Sequence, residues 1–284
     1  MASIEFCKFH GFGNDYIVML KENVPAEVKL PSLARDICER HRGVGADGIA
    51  VLEKLDGEKA DFFCEIVNPD GSFAGFSGNG TRCAVAFLYY KKLWPYPSLR
   101  LETRSGIKNY TLIERESEGH YWFEAEIGKP KFASDQVPVA TDVHMDSVVD
   151  FPVEVLGRTF EITGVNVGNP VACTFVDDFE FDWRSFGREM ESHRSFPQRA
   201  NIAFVHVIDR ENIELRIWER GAGETSASGT VASGSAVVSA FTDRTDRTVS
   251  VVTPGGTTEV HWRDDDEILI TGRADLAFCG EWPL

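Results

Sequence analysis

The stretch NPDGSFAGFSGNG at residues 68–80 leads into an almost wholly apolar segment, and so does a second glycine-rich stretch, ERGAGETSASGT at residues 219–230. Each delivers a Ser-Gly pair, beginning at Ser77 or Ser228, to the predicted start of a helix with almost no polar face. A helix start carries unpaired N–H groups and the positive end of the helix dipole, so it suits an anion such as a carboxylate. Two such starts predict one anionic ligand held by two halves of the chain.

Three landmarks recur in the same order in both halves, with offsets that shrink from 155 (169 − 14) to 151 (228 − 77) as loop deletions would cause: Asn14 and Asn169, Gly48 and Asn201, Ser77 and Ser228. A period this long indicates duplicated domains, not a solenoid. We therefore predict an α+β fold of two homologous domains, each a curled, mostly antiparallel sheet around a central buried helix. The predicted domains are residues 1–125 plus about 274–284, and residues 126–273. We expect the two serines to face one another across a single cleft.

Composition narrows the function. The net charge of −16 argues against nucleic acid, because phosphate binding needs an excess of Lys and Arg. The start of the chain lacks the pattern of a signal peptide, and no apolar run is long enough to span a membrane. Six cysteines without metal-type spacing predict free buried thiols and no metal site. These observations predict a cytoplasmic protein without a membrane or nucleic-acid partner.

Hydrophobic periodicity predicts the remaining elements. Alternation predicts strands such as residues 4–10 and 213–217, and a surface helix is predicted at 183–191. Ser32 is predicted to cap a short helix whose Leu33 and Ile37 share a face.

Seven motifs in order resemble those of the diaminopimelate epimerase family over nearly the whole chain: FHGFGNDY at 9–16, GVGADG at 43–48, NPDGS at 68–72, GNGTRC at 78–83, GNP at 168–170, RAN at 199–201 and ERGAGET at 219–225. The resemblance implies a fold shared with proline racemase and the phenazine-pathway isomerase. It also implies inversion of an amino-acid α-carbon without a cofactor, from LL- to meso-diaminopimelate in lysine biosynthesis, by a homodimer. One thiolate removes the α-proton, and a thiol on the opposite face returns one.

Both family thiols are replaced, because this chain has Ser77 and Ser228 where the family has cysteine. Val171 also stands where the family often has histidine. By resemblance, Ser77 and Ser228 occupy the catalytic positions, but a serine hydroxyl needs an adjacent base to act. Each serine is equally explained as a helix N-cap. The carboxylates nearest in sequence to Ser228 are Glu219 and Glu224.

The other predicted site residues bind the substrate. By resemblance, four asparagines hold the substrate's amine and carboxylates, although a turn-forming role also fits them: Asn14, Asn68, Asn169 and Asn201. Backbone N–H groups of two pairs would hold the α-carboxylate and its developing enolate: Gly78 with Asn79, and Gly229 with Thr230. Arg220 is a planar double donor suited to a carboxylate, and Glu219 could accept an ammonium group, although a surface ion pair explains both.

Three functions remain open at this point. The first is amino-acid epimerisation on a small amino-acid or dicarboxylate substrate. The second is a related isomerase or dehydratase that acts on another amino acid, and the third is an inactive carboxylate-binding paralogue. Proton exchange at the α-carbon separates the enzymes from the binder.

Overall fold

The computed structural model describes residues 3–137 and 139–284, so residues 1, 2 and 138 of the predicted domains lie outside the described part. The chain forms two compact units. Unit 1 comprises the chain up to Glu126 together with Thr271–Leu284, and unit 2 comprises Ile127–Ile270. Within the described residues, no helix is long and apolar enough to cross a membrane.

Unit 1 is built from strands with two helices between them: β1 (Ser3–Gly11), β2 (Asn14–Leu20), α1 (Leu30–Ile37), β3 (Gly48–Lys54), β4 (Phe62–Val67), β5 (Phe73–Ala74), α2 (Gly78–Tyr90), β6 (Ser98–Thr103), β7 (Gly106–Ser117), β8 (His120–Gly128) and the C-terminal β17 (Ile268–Pro283). Most neighbouring strands are antiparallel, and β1 pairs with both β2 and β17. Two pairs are parallel, namely β2 with β3 and β4 with β6.

Unit 2 repeats this order: β9 (Phe151–Val155), β10 (Arg158–Asn166), β11 (Pro170–Phe175), α3 (Trp183–Glu191), β12 (Asn201–Val207), β13 (Asn212–Glu219), β14 (Gly223–Thr225), α4 (Gly229–Phe241), β15 (Thr248–Thr253) and β16 (Gly256–Trp262). Its two parallel pairs, β11 with β12 and β13 with β15, stand at the same places in the order. The sequence landmarks therefore mark a repeated topology.

The central helix of each unit is buried on all sides. Helix α2 contacts β1, β2, β3 and β4, and α4 contacts β10 to β13 together with β15 and β16. Residues 79–89 of α2 and residues 230–239 of α4 are buried. A helix without a polar face is stable only when protein surrounds it, which explains the unbroken apolar runs in the sequence. The prediction of an α+β fold with a buried central helix is confirmed.

Two sequence predictions are wrong. Helix α1 begins at Leu30, so Ser32 lies inside its first turn and does not cap it. Pro31 explains the earlier start, because proline favours the first helical turn. Cys7 and Cys279 form a disulfide, so only four cysteines are free buried thiols: Cys38, Cys64, Cys83 and Cys173. The two bonded cysteines lie directly opposite each other on β1 and β17, and this register was not visible in the sequence.

Candidate active site

In unit 1, the ends of three strands bring several predicted residues to one edge of the sheet. Tyr16 lies opposite Gly48 in the parallel pair β2–β3, and Ile49 lies opposite Val67 in the antiparallel pair β3–β4. Asn14 and Asn68 therefore project from the same edge as Gly48. Ser77, at the start of α2, reaches this edge because its hydroxyl is 2.9 Å from that of Tyr16. We call Asn14, Tyr16, Asn68, Ser77, Gly78 and Asn79 the N-terminal cluster.

The hydroxyl of Ser77 has two partners. It accepts a hydrogen bond from the backbone N–H of Gly80 at 3.1 Å, so Ser77 is the N-cap of α2. It also shares a hydrogen bond with the phenol of Tyr16. The cap occupies the Gly80 N–H. The N–H groups of Gly78 and Asn79 lie in the first helical turn, where no helix carbonyl can accept from them, so they suit an anion.

One acidic side chain orients Asn14. Its amide nitrogen donates to Asp47 Oδ2 at 2.7 Å, which turns its carbonyl oxygen toward other partners. Arg40 bridges Asp47 and Asp15, with Nη2 at 2.7 and 2.9 Å from their carboxylates. Burial alone would raise the pKa of Asp15, but hydrogen bonds from Arg40 and Lys8 lower it. Asp15 is thus held ionised as a structural anion.

Asn79 is buried, and its side-chain oxygen accepts a hydrogen bond from Arg82 Nη1 at 2.9 Å. The Asn68 amide donates to the Ser72 hydroxyl at 2.9 Å within its own turn. Asn79 therefore offers its backbone N–H, while the carbonyl oxygen of Asn68 is turned away from Ser72.

In unit 2, the corresponding strand ends carry Asn169, Asn201 and Glu219. Val171 lies opposite Asn201 in the parallel pair β11–β12, and Ile202 lies opposite Trp218 in the antiparallel pair β12–β13. Asn169 directly precedes β11 and follows Gly168, whose φ of +102° permits the turn. The glycine before Asn14 also has a positive φ, of +85°. We call Asn169, Asn201, Glu219, Arg220, Ser228, Gly229 and Thr230 the C-terminal cluster.

The carboxylate of Glu219 lies next to the hydroxyl of Ser228. It accepts a hydrogen bond from the hydroxyl of Thr225 at 2.8 Å. Burial raises the pKa of the Glu219 carboxyl, and its interactions with the Thr225 and Ser228 hydroxyls offset this effect only in part. Ser228 makes no side-chain bond to the start of α4. The N-cap explanation therefore holds for Ser77 and fails for Ser228.

A buried acid, Glu191, holds the loop that follows β13. Glu191 accepts hydrogen bonds from Trp218 Nε1 at 2.9 Å and from the N–H of Gly221 at 2.7 Å, which fixes the loop after β13. Asn201 Oδ1 accepts from the N–H of Arg220 at 2.9 Å, so its amide nitrogen is turned to other partners. The exposed Arg220 side chain donates to the Gln198 carbonyl at 3.0 Å. Among the described residues, Arg220 forms no ion pair with Glu219, which was the alternative explanation for these two side chains.

Other candidates are engaged elsewhere. Glu224 forms two hydrogen bonds with Arg184, at 2.6 and 2.8 Å, so it is not the base for Ser228. Val171 is fully buried and packs against Gly234 of α4.

Sequence reasoning missed three residues that organise the clusters, namely Tyr16, Asp47 and Glu191. Tyr16 and Asp47 lie inside motifs that resemble the family, but nothing in the sequence alone assigned them a contact. Glu191 ends a predicted surface helix, and its burial against Trp218 has no sequence signal.

Solved structures share this fold. A phenazine biosynthesis protein of the PhzF family from Bacillus anthracis aligns with a TM-score of 0.70 at 16% identity, covering 100% of both chains. A probable proline racemase from Agrobacterium radiobacter, solved with bound carbonate, aligns with a TM-score of 0.70 at 14% identity over 99% of this chain and 93% of that one. The fold is therefore that of the phenazine biosynthesis and proline racemase proteins.

Sequence comparison narrows this class to one family. The profile described as Diaminopimelate epimerase matches residues 6–133 and 163–277. A diaminopimelate epimerase of Nostoc punctiforme is 37% identical over 98% of this chain and 99% of its own length. One from Moorella thermoacetica is 38% identical over 99% and 100%. The chain belongs to the diaminopimelate epimerase family, as the seven motifs predicted.

Proposed function

We propose that the protein is a cofactor-independent epimerase that inverts an α-carbon of diaminopimelate, between the LL and meso forms, with serines in place of both family thiols. In this role it acts on a small amino-dicarboxylate in lysine biosynthesis. We further propose a cytoplasmic homodimer, the arrangement that the family resemblance implies. The reducing conditions of the cytoplasm would reduce the Cys7–Cys279 disulfide to two thiols.

The position of the Ser228 hydroxyl next to the Glu219 carboxylate is the observation that carries this proposal. A serine oxygen accepts a proton from carbon only if an adjacent base takes its own proton. Glu219 lies next to this hydroxyl, and burial raises the pKa of its carboxyl, which makes the carboxylate a stronger base. The α-proton passes to the Ser228 oxygen as the Ser228 proton passes to Glu219.

The helix starts supply the electrostatic part of the reaction. Loss of the α-proton places negative charge on the carboxylate of the substrate, and backbone N–H groups aimed at that charge stabilise it without rearrangement. The first N–H groups of α2 and α4, at Gly78, Asn79, Gly229 and Thr230, fill this role. Inversion requires proton transfer at both faces of the carbon, so we propose that Ser228 serves one face and Ser77 the other.

The side-chain orientations divide the remaining binding tasks. The carbonyl oxygens of Asn14 and Asn68 suit a substrate ammonium, because their amide nitrogens are already used by Asp47 and Ser72. The amide nitrogen of Asn201 suits a carboxylate, since the side-chain oxygen of Asn201 already accepts from the backbone N–H of Arg220. The Arg220 guanidinium is suited to the second carboxylate. Asn169 completes the set by its position beside Asn201 at the strand ends.

The test is to incubate the protein separately with LL- and meso-diaminopimelate in heavy water, following the α-proton by NMR and the stereoisomers by chromatography. The proposal expects deuterium at the α-carbon together with interconversion of the two forms. Binding without exchange would contradict it and indicate a carboxylate-binding paralogue. Exchange without interconversion would indicate a related isomerase or dehydratase.

A further inference from the structure

Ser77 lacks the kind of partner that Ser228 has. In unit 1, Asn68 occupies the place at the end of β4 that Glu219 occupies at the end of β13. A carboxamide does not ionise near neutral pH and is a very weak base, so Asn68 is no substitute for a carboxylate. The titratable group that contacts Ser77 is the phenol of Tyr16, whose oxygen is 2.9 Å from the Ser77 oxygen.

The ring of Tyr16 lies in a slot made by two glycines. A Cβ atom on Gly48 would come within 2.7 Å of the Tyr16 ring, and one on Gly80 within 2.8 Å. Gly48 and Gly80 are buried, so neither position could take a side chain without displacing the ring. The slot thus fixes the phenol at the start of α2.

Unit 2 has no such slot. Val171 stands at the place of Tyr16 and Asn201 at the place of Gly48, as the parallel strand registers show. Val231, three residues after Ser228, stands at the place of Gly80. The aromatic ring and the two glycines that admit it are therefore specific to unit 1.

We propose that Tyr16 is the proton source and acceptor for the Ser77 hydroxyl, so that Ser77 works with a phenol as Ser228 works with a carboxylate. This inference rests on the proposed function. A phenol ionises at about pH 10 in water, far below an aliphatic hydroxyl. Tyr16 acts through Ser77 and does not contact the substrate, so it is a positioning residue.

The proton transfers of one turnover balance. The Cα–H bond of the substrate breaks as Ser228 takes the proton and passes its own to Glu219. A new Cα–H bond forms on the other face as Ser77 gives up its proton and takes one from Tyr16. The turnover leaves Glu219 protonated and Tyr16 as phenolate, with no change in net charge. Solvent then returns both groups to their starting state.

The test compares Tyr16→Phe with Tyr110→Phe and Glu219→Gln. Tyr110 is a matched control, because its buried hydroxyl bonds to Thr81 of the same helix without contacting Ser77. Deuterium entry at the α-carbon is measured separately from each stereoisomer, together with inversion. The stereoisomer whose exchange is lost in Glu219→Gln is the one that this carboxylate deprotonates.

For that stereoisomer, the Tyr16→Phe protein should exchange the α-proton at a rate within about threefold of wild type, with the configuration retained. Its rate of inversion should fall by about 10²-fold. Exchange from the other stereoisomer should fall by a similar factor, and Tyr110→Phe should match wild type. Unchanged inversion in Tyr16→Phe, or equal loss of exchange from both stereoisomers, would overturn the inference. A wild-type protein that exchanges neither stereoisomer would overturn the proposed function as well, so the two failures are distinguishable.

Discussion

The starts of α2 and α4 share one backbone arrangement, but the side chains around them differ. Each follows a glycine-rich loop, and each presents a serine before the first helical turn. Ser77 caps its helix and bonds to a phenol, whereas Ser228 leaves its helix uncapped and lies next to a carboxylate. Equivalent strand registers place Tyr16 where unit 2 has Val171, and Asn68 where unit 2 has Glu219.

The difference shows which part of a duplicated site is fixed by the fold. The strand ends and the helix starts recur because the topology recurs, and in both units they present N–H groups of the kind that suit an anion. The partner of each serine depends on one side chain at a strand end, and this side chain differs between the two units. Each unit keeps one titratable partner and has a non-titratable residue at the other position.

Removal of the Glu219 carboxylate should have the largest effect on the difference between the two units. Glu219→Gln should lower the rate of α-proton exchange by about 10²–10⁴-fold, the usual contribution of a matched acid–base group. Glu224→Gln is the matched control, because Glu224 lies in the same loop but pairs with Arg184. NMR exchange rates of the two variants measure the contrast, and a Glu224→Gln protein as impaired as Glu219→Gln would refute the assignment of the base.

Restoring the thiols sharpens the comparison. The double change Ser77→Cys and Ser228→Cys should raise epimerisation of diaminopimelate by about 10²-fold or more, because a thiol is a far better acid and base than a hydroxyl. Each single change should do much less, since inversion needs a group at both faces. Rates of conversion by chromatography decide the question. A double variant that binds diaminopimelate but is no faster would show that the thiols are not what limits the rate.

Arg220 tests the binding half of the C-terminal cluster. Arg220→Ala should weaken diaminopimelate binding by about 2–3 kcal/mol, the loss of a charge-assisted bidentate pair. Arg216→Ala should have little effect on binding, since Arg216 pairs with Glu214 and stacks on Phe179 of its own unit. Calorimetric titration of both variants gives the two dissociation constants. Equal weakening would remove Arg220 from the proposed site.

The smallest effect is on stability. Burial raises the pKa of Glu219 in the folded protein, so the stability it contributes is complete below the unfolded-state pKa and is lost as pH rises through the folded value. Glu219→Gln should therefore gain stability relative to wild type as pH rises from acid to neutral. The hydrogen bond with Arg184 lowers the pKa of Glu224, so Glu224→Gln should show the opposite trend, made small by exposure. Urea unfolding across pH measures both, and parallel trends would contradict the account.

Periodicity and repetition predicted most of the fold. The apolar runs after Ser77 and Ser228 fixed the central helices, since such runs have no other stable placement. Short-range rules failed at α1, where Pro31 in the first turn moved the helix start ahead of Ser32. The Cys7–Cys279 disulfide depends on the pairing of the first and last strands, and a separation of 272 residues leaves no local signal for it.

The sequence proposed residues for the candidate site but not the contacts between them. The motifs singled out the serines and asparagines, and left Glu219 and Glu224 as equal candidates for the base of Ser228. Only the three-dimensional structure separates them, because Arg184, distant in sequence, engages Glu224. Tyr16 was missed for the same reason, since its contact with Ser77 depends on a slot formed by Gly48 and Gly80.

The most direct test of two unlike proton-transfer pairs is the position of deuterium early in the reaction. The protein is incubated with LL-diaminopimelate in heavy water and stopped at low conversion, and the α-hydrogen of product and recovered substrate is measured by NMR. If separate groups remove and return the proton, the meso product carries deuterium at the inverted carbon while the recovered substrate retains hydrogen. Equal labelling of product and recovered substrate, or product without deuterium, would contradict the account.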